Sequence, residues 1–387
     1  MNKKMMFLVV AAMLIVYTLL NYYIGIRGLE LVGIFNKDIN RVIYWVIFYL
    51  FAFSYIVSKL LERYMPNKIS GVFNYLGSYY MAVLLYSIII IVIVDLFRLV
   101  NWKFNILGVN DTFKTYMGIV IVCILAFVLI YGTWSGSSTV INKYTLSVDK
   151  TAGDMKKLNI IMASDIHIGS VGYRNRMEKL VELTNSVKPD IVLLAGDIID
   201  DRVEPFIEGN VGEYFKQIEA PLGIYAVTGN HEYISGKVDE FVKILEENNV
   251  KVLRDDYSEI KGSFYVVGRD DVSGGSYQET KRKDLSDITK NINKDLPIIV
   301  MDHQPKYLQE AVDAGVDLQV SGHTHRGQLS PSNLITKRLF EIDWGYLKKE
   351  NLNVIVSSGF GTWGPPIRIG SRSELVNIIL EFKSSET

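Results

Sequence analysis

LNIIMASDIHIG, residues 158–169, joins a short apolar run directly to an aspartate and a histidine. Apolar runs of this length, bounded by turn residues, are typical of buried β-strands. Similar runs recur through the second half of the chain, and several of them also end in Asp, Asn or His. The predicted strands are LNIIMAS, DIVLLAG, LGIYAVTG, SFYVVG, PIIVMDH, VDLQVSG, LNVIVSSG and LVNIILEF.

Helical patterns lie between several of these strands. They are RNRMEKLVELTNSV, KVDEFVKILEEN and YLQEAVDAG. Strands that alternate with helices predict an α/β layered domain. We place this domain at residues 136–387, and we interpret SGSSTV, residues 135–140, as a small-residue linker that leads into it.

The first 135 residues have a different composition. The chain has 387 residues, 49% of them hydrophobic, and four apolar runs fall at 6–26, 42–60, 75–97 and 117–134. Each run is close to the roughly 20 residues that a membrane-spanning helix needs, and none shows the polar face of a soluble bundle helix. The first run exceeds the apolar core of a signal peptide and lacks a small-x-small cleavage site. We therefore predict a four-span transmembrane region over residues 1–135, and hence a multi-pass protein of the cell membrane.

Charge gives little information about orientation or partners. The Lys and Arg of the short loops are nearly balanced between the two sides, and Lys3 and Lys4 favour the cytoplasmic side for both termini and for the α/β domain. The net charge of −1 provides no basic stripe, so no nucleic-acid partner is expected, and KRKD at 281–284 is interpreted as a solvated helix face. Asp95, at the end of the third run, is interpreted as a solvated residue at the interface. The oligomeric state is not predicted.

Polar residues follow five of the predicted strands. Asp165 and His167 follow the first of these strands, and all five histidines of the chain lie at such positions. Ligand sites in α/β sheets lie beyond the carboxyl ends of the strands, so these groups are expected to converge in one crevice. Imidazole and carboxylate ligands together suit divalent first-row metals. The pattern predicts a shared metal site.

Five ordered blocks then carry a family resemblance. DIHIG (165–169), GDIID (196–200), GNHE (229–232), DHQP (302–305) and GHTH (322–325) resemble the blocks of the calcineurin-like metallophosphoesterases. The resemblance covers about residues 140–382, and it implies two packed mixed β-sheets flanked by helices. The tail SSGFGTWGPPIRIGSRSEL (357–375) further resembles the membrane-associated bacterial branch, which includes UDP-2,3-diacylglucosamine pyrophosphatase-like and cell-wall-associated phosphoesterases.

The resemblance also implies a role for each site residue. The first of two divalent metal ions is expected on Asp165, His167 and His325, and the second on Asn230, His303 and His323, with Asp197 bridging both. Manganese is the preferred metal, with iron or zinc as alternatives. Two adjacent ions would acidify a water, so that metal-bound hydroxide attacks phosphorus. His231 is expected to donate a proton to the leaving oxygen and Asp200 to orient its ring.

The same blocks suggest which phosphoester is cleaved. Protein serine/threonine phosphatases of this superfamily typically read GDxxDRG and RGNHE, whereas this chain has Asp201 and Thr228 in place of the two arginines. An acid beside the cleft disfavours a phosphate dianion, so a phosphodiester or pyrophosphate is expected, on a lipid-linked or membrane-presented substrate. Arg202 and Arg326 are candidate phosphate contacts, with solvated loop positions as the alternative reading.

Two other functions remain as alternatives: a phosphomonoesterase, and a catalytically silent phosphate-binding receptor or scaffold. The segment SPSNLITKRLFEIDWGYLKKE (330–350) follows the last histidines and interleaves aromatic and basic residues. It is interpreted either as a lid that meets lipid or as an ordinary packed excursion.

Overall fold

The computed structural model of the chain describes residues 3–61, 64–65, 67–169, 172–277 and 281–384. Residue contacts divide the chain into two compact units. The helical unit comprises Met1–Thr133 with Gly364–Pro366, and the catalytic unit comprises Trp134–Trp363 with Ile367–Thr387.

The helical unit contains four long helices, each of them longer than the apolar run that predicted it. They are α1 (Lys3–Phe35), α2 (Arg41–Leu61), α3 (Asn67–Phe104) and α4 (Asp111–Ser137). All four are long and apolar enough to cross a membrane. Their large apolar side chains are mostly exposed, as expected of helices whose solvent is lipid.

The catalytic unit contains two mixed six-stranded sheets. The first has the strand order β1-β12-β2-β3-β4-β5 and the second β10-β11-β9-β8-β7-β6. The strands are β1 (Val140–Val148), β2 (Lys157–Ala163), β3 (Ile191–Ala195), β4 (Ile224–Val227), β5 (Val250–Val252), β6 (Asp256–Ile260), β7 (Phe264–Gly268), β8 (Ile298–Met301), β9 (Leu318–Ser321), β10 (Gly345–Lys349), β11 (Leu352–Val356) and β12 (Glu374–Phe382). In the first sheet β2 to β5 run parallel, and in the second β7, β8, β9 and β11 run parallel.

The described part of the catalytic unit also contains eight helices. They are α5 (Tyr173–Val187), α6 (Glu204–Glu208), α7 (Asn230–Ile234), α8 (Val238–Glu247), α9 (Gly274–Tyr277), α10 (Leu285–Thr289), α11 (Leu308–Ala314) and α12 (Asn333–Leu339). Two 3₁₀ helices, Val211–Gln217 and His325–Gly327, complete the unit.

Three apolar layers hold the catalytic unit together. The central layer lies between the two sheets and buries side chains of both, such as Ile160 and Met162 of β2 against Ile299 and Met301 of β8. A second layer packs α5 and α8 on the first sheet, and a third packs α10 and α11 on the second sheet. Because each buried aliphatic side chain contributes about 1.5–3 kcal/mol, these layers fix the relative position of the two sheets.

The predicted fold class is confirmed, with four apolar N-terminal helices and a two-sheet α/β domain flanked by helices. Two smaller interpretations are wrong. The presumed linker is structured, because α4 continues to Ser137 and Ser135 Oγ donates to the Ser371 carbonyl at 2.9 Å. KRKD is not a solvated helix face either, because Arg282 forms a buried ion pair with Asp302.

Candidate metal centre

All the predicted ligands lie in the loops that follow five strands. Asp165 and His167 follow β2, Asp197 follows β3, Asn230 follows β4, His303 follows β8, and His323 and His325 follow β9. Five of these seven residues have a left-handed backbone, with φ between 48° and 72°: Asp165, His167, Asp197, His323 and His325. Such conformations cost about 1–3 kcal/mol each for non-glycine residues and cluster at functional sites. The packed sheets maintain this strain in the loops.

Two glycines allow these loops to approach one another. A Cβ on Gly229 would overlap the Asp197 carboxylate, and a Cβ on Gly322 would overlap the Asp165 carboxylate and Ser164 Oγ. Glycine is therefore required at these points by close contact, whatever the backbone angle. The contacts bring the β3 and β4 loops together at Asp197, and the β2 and β9 loops together at Asp165.

The first group of potential ligands comprises Asp165, His167 and His325, whose ligand atoms lie within 4.8 Å of one another. His167 Nε2 lies 3.0 Å from His325 Nε2, which in turn lies 3.4 Å from Asp165 Oδ1. Asp197 Oδ2 lies 3.9 Å from His167 Nε2. Two imidazoles and two carboxylates thus converge on one buried point.

The second group comprises Asp197, His303 and His323. His303 Nε2 lies 3.1 Å from Asp197 Oδ2 and 3.2 Å from Asn230 Oδ1, and His323 Nδ1 lies 2.9 Å from the same Asn230 oxygen. His303 Nδ1 lies 2.8 Å from the Ala195 carbonyl, which only accepts hydrogen bonds. Nδ1 therefore carries a hydrogen, and Nε2 is the nitrogen that faces the group. Burial would lower the pKa of His303, but the carboxylates of Asp197 and Asp165 raise it well above its usual value, so a bound ion would take the place of a proton on Nε2.

These donors fit two divalent cations. Each group combines imidazole nitrogens with carboxylate oxygen, a set that suits manganese, iron or zinc. Burial and the neighbouring cationic His303 lower the pKa of His323 to about 3, and burial with His167 lowers the pKa of His325 well below its usual value. Both rings are therefore neutral at physiological pH, as metal ligands must be. Asp165, His167, Asp197 and His325 would hold one ion, and Asp197, Asn230, His303 and His323 the other.

His231 lies beside both groups among three carboxylates. Its Nδ1 is 3.1 Å from Asp201 Oδ1 and 3.5 Å from Asp200 Oδ1, and its backbone N–H donates to Asp197 Oδ1 at 2.9 Å. Burial alone would lower the pKa of His231, but Asp201 and the charges of Asp197 and Asp200 raise this pKa to about 9. The ring is therefore protonated at neutral pH and can donate a proton.

Asp200 also faces His167. Its Oδ1 lies 3.7 Å from His167 Nδ1, so that one carboxylate oxygen is shared between the two histidines. His167, Asp200 and His231 form a third group with ligand atoms within 4.8 Å of one another. The structure therefore brings Asp200 close to His231, and it brings Asp201 even closer to the ring. The orienting role of Asp200 stays a prediction.

The structure gives the two candidate phosphate contacts partners within the protein. Arg202 Nε donates to Glu204 at 3.2 Å, and the guanidinium of Arg326 lies 3.9 Å from the centre of the Trp344 ring. Trp344 in turn donates from Nε1 to Glu374 at 3.0 Å. The role of each arginine towards a phosphate stays a prediction.

Glu232 supports the site to an extent that its sequence position does not reveal. Its fully buried carboxylate accepts hydrogen bonds from the backbone N–H groups of Asp197, Ile198, Ile199 and Gly229, at 2.7–3.1 Å. The carboxylate therefore shapes the β3 loop that presents Asp197. Its place in the GNHE block was the only feature that could have indicated this.

Three arginines hold the loops from behind. The fully buried Arg368 donates to the carbonyls of Ser358 and Gly361 at 2.6 and 2.7 Å, next to His325. Arg176 donates to the carbonyl of His167 at 2.6 Å, and Arg282 pairs with Asp302, the residue before His303. Sequence reasoning missed all three, because their partners are mostly backbone carbonyls, which no sequence motif marks.

The fold and the site together define a metal-dependent hydrolase on a membrane-spanning anchor. A family model described as calcineurin-like phosphoesterase matches residues 158–327. An uncharacterized metallophosphoesterase of Aquifex aeolicus is 31% identical over 247 residues, which are 63% of this chain and 93% of that protein. The chain belongs to the calcineurin-like phosphoesterase family, and it is a metal-dependent phosphoester hydrolase.

Two vertebrate relatives also match the chain. A transmembrane protein with metallophosphoesterase domain from Danio rerio is 27% identical over 69% of this chain and 63% of its own length. The protein of the same name from Bos taurus is 31% identical over 60% of this chain and 55% of its own length. The chain thus matches a little over half of each of these two relatives, both of which are described as membrane proteins.

Proposed function

We propose that the protein is a membrane-anchored phosphodiesterase or pyrophosphatase whose substrate is a lipid-linked phosphoester. The observation that carries this proposal is a set of exposed apolar side chains beside the metal ligands of a membrane protein. The resemblance of the tail at 357–375 to the UDP-2,3-diacylglucosamine pyrophosphatase-like branch supports the same substrate class.

Helix α12 is the clearest part of this apolar surface. None of its seven residues, all of which the structure describes, is buried, and Leu334, Ile335 and Leu339 are 65%, 61% and 73% exposed. The same helix carries two cations in its last turn, Lys337 and Arg338. Apolar side chains next to cations fit an interface with anionic lipid.

Two aromatic side chains bring apolar surface to the histidines of the site. Phe340, directly after α12, has its ring centre 6.0 Å from that of His323. Trp363, which is 53% exposed, has its ring centre 6.2 Å from that of His231. A soluble substrate gains little from this apolar rim. For a lipid, each chain carbon that the rim covers contributes about 0.8 kcal/mol to the free energy of binding.

The charges at the site favour a diester or pyrophosphate over a monoester. Asp200 and Asp201 both lie within 3.5 Å of His231, and Asp201 stands in place of one of the two arginines of a phosphoprotein phosphatase. Thr228 does not supply a positive charge, and its hydroxyl donates to Asp270 at 2.6 Å. A phosphate dianion would meet uncompensated negative charge there, and a monoanionic diester would meet less.

In this proposal, each residue of the site has a separate role in catalysis. The seven ligands would hold two divalent ions, which when bound would supply an acidified water and positive charge for the phosphoryl oxygens. Protonated His231 donates to the leaving oxygen, while Asp201 and Asp200 keep the ring charged and oriented. We propose manganese as the native metal and the cytoplasm as the location of the catalytic unit; metal analysis of the purified protein and a C-terminal reporter test these two points.

The lipid proposal is tested with the double variant Leu334→Glu/Leu339→Glu. Two substrates are compared: a fluorescent lipid-linked pyrophosphate in phospholipid vesicles, and soluble bis(p-nitrophenyl) phosphate. Burying each leucine in lipid contributes about 1.5–3 kcal/mol to binding. Loss of part of this free energy should lower kcat/KM for the vesicle substrate at least about tenfold and leave kcat/KM for the soluble diester unchanged. Ile207→Glu, which changes an exposed isoleucine on α6, serves as the matched control.

Three results would contradict the proposal. Equal losses on both substrates would show that α12 acts on the fold and not on lipid. Faster hydrolysis of p-nitrophenyl phosphate than of the diester would instead indicate a phosphomonoesterase. If the protein were a catalytically silent receptor, the wild type would hydrolyse neither compound and would be as inactive as the His231→Ala variant.

A further inference from the structure

The helical unit contains a cavity of about 590 Å³ between α1, α3 and α4. Its walls are apolar over most of their length and include Ile24, Leu31, Ile91, Val94, Met117 and Ile121. Ligand pockets in proteins typically measure about 300–1,000 Å³, so this space is large enough for a sizeable ligand. It lies wholly within the helical unit and contains none of the metal ligands.

One end of the cavity is lined by charged side chains. Arg27 of α1 donates to Asp95 of α3 at 2.8 and 2.9 Å and lies 3.0 Å from Glu30. Arg98 of α3 lies 3.4 Å from Asp95 and 3.8 Å from Glu30. Asp95 is thus tied to two arginines, which corrects its interpretation as a simply solvated residue.

The charged lining has a positive excess. Three cations, Arg27, Arg98 and Lys114, face two anions, Glu30 and Asp95, which leaves one positive charge at this end. Lys114 also lies 2.9 Å from Asp111, but that carboxylate is 98% exposed. Exposed ion pairs are worth only about 0–1 kcal/mol, so an anionic ligand can compete for the lysine.

The depth of the cavity matches one leaflet of a bilayer. Measured from the charged side chains, its wall extends from Lys114 to Leu125 on α4 and from Arg98 back to Ser87 on α3, with Asn101, Trp102 and Phe113 beyond the charged end. Eleven residue steps at about 1.5 Å span about 16 Å, close to half of the roughly 30 Å hydrocarbon thickness. The charged end therefore lies at headgroup depth when the apolar part lies among acyl chains.

We propose that this cavity is a binding site for one phospholipid of the surrounding bilayer. The phosphate contacts Arg98 and Lys114 beside the Arg27–Asp95 pair, and an acyl chain lies between α1, α3 and α4. The proposal is independent of the substrate of the catalytic unit. It gives the helical unit a ligand of its own in addition to its anchoring role.

The test uses the full chain in nanodiscs made of phosphatidylglycerol and phosphatidylcholine. Native mass spectrometry after release from the disc counts the lipid molecules that remain bound. Ile121→Trp fills the cavity from α4, and Ile119→Trp makes the same change on an exposed position of that helix. We expect one phospholipid to be retained by the wild type and by Ile119→Trp and to be lost, or bound at least about tenfold more weakly, in Ile121→Trp.

Headgroup recognition is tested in the same way. Arg98→Gln should weaken retention of phosphatidylglycerol at least about tenfold and leave that of neutral diacylglycerol unchanged. Equal retention by the two tryptophan variants would overturn the proposal, because it would indicate only lipid that coats the helices. Diacylglycerol bound as tightly as phosphatidylglycerol by the wild type would overturn the phosphate contact. If Ile121→Trp fails to elute as a folded protein in gel filtration, Arg98→Gln still decides the outcome.

Discussion

Asp197 is the residue on which both metal-ligand groups depend. Its Oδ2 lies 3.1 Å from His303 and 3.9 Å from His167, and its Oδ1 accepts the backbone N–H of His231. The positive charge of His303 overcomes the effect of burial and lowers the pKa of Asp197 far below its usual range. The carboxylate is therefore ionised at neutral pH.

Asp197→Asn should remove the bridging charge while preserving the shape of the side chain. Changes in the shell behind metal ligands cost about 10–100-fold in metal affinity or activity, and loss of a shared ligand should exceed that range. We expect less than one tightly held metal equivalent per chain and a loss of turnover of more than about 100-fold. Metal content and diester hydrolysis measure both effects, with the exposed Asp313→Asn as control. Unchanged turnover would contradict the bridging role.

Asp201 should set the alkaline limit of activity through His231. The pKa of His231 is raised to about 9, so its proton is present below that pH and is lost above it. An opposite charge at this distance typically contributes about one pH unit or more. Asp201→Asn should therefore move the alkaline limb of the kcat/KM profile down by at least about one unit. Because bound metal ions affect the wild type and the variant alike, the difference between their pH profiles reports the effect of Asp201 alone.

Asp201→Glu provides the conservative control, because it keeps a carboxylate near the ring. Its alkaline limb should stay within about half a unit of the wild-type position. An alkaline limb that does not move in Asp201→Asn would show that another group sets the limit.

At the scale of elements, the sequence predicts the centre of each sheet and misses its edges. The eight predicted runs became β2, β3, β4, β7, β8, β9, β11 and β12, whereas the missed strands β1, β5, β6 and β10 are the four edge strands. Central strands are buried on both faces and read as continuous apolar runs. An edge strand such as β1 alternates exposed and buried residues, and β5 has only three residues.

The site shows the same limit. The ligands stand in recognisable blocks at strand ends, so sequence reasoning can select them. It cannot show the left-handed backbone of His167 or His325, or the proximity of Asp201 to His231, because these features depend on how loops from different strands meet in the folded chain. The four backbone contacts of Glu232 arise in the same way from two loops that meet only in the folded chain.

Glu232→Gln should reveal how much the β3 and β4 loops depend on this carboxylate. The amide can accept on one side only, so buried N–H groups that now face the second oxygen lose their acceptor. Hydrogen bonds to a charged group contribute about 1.5–3 kcal/mol, so we expect a loss of about 2–4 kcal/mol in the free energy of unfolding. Chemical denaturation measures the change, and the exposed Glu246→Gln should leave stability unchanged. A loss below about 0.5 kcal/mol would contradict the structural role.

At the scale of the whole molecule, the two units differ in which side chains they expose and which they bury. The helical unit exposes apolar side chains because lipid is its solvent, whereas the catalytic unit gathers carboxylates and histidines at one buried point. Burial of these groups is costly unless they are paired or bound to metal. The stability of the catalytic unit should therefore depend on its ions, and that of the helical unit should not.

Metal removal tests this difference on the full chain. A ligand present at 100 times its dissociation constant stabilises the folded state by about 2.7 kcal/mol. For a unit of about 250 residues, each kcal/mol shifts the melting temperature by about 2–4 °C, so chelation should lower the melting temperature of the catalytic unit by about 5–10 °C. Pulse proteolysis during a thermal ramp follows each unit separately. Peptides from β2 to β12 report on the catalytic unit, and peptides from α1 to α4 report on the helical unit. Manganese should restore the wild type and should not restore Asp197→Asn. If chelation shifted both units equally, or neither, the ions would not be part of the folded catalytic unit.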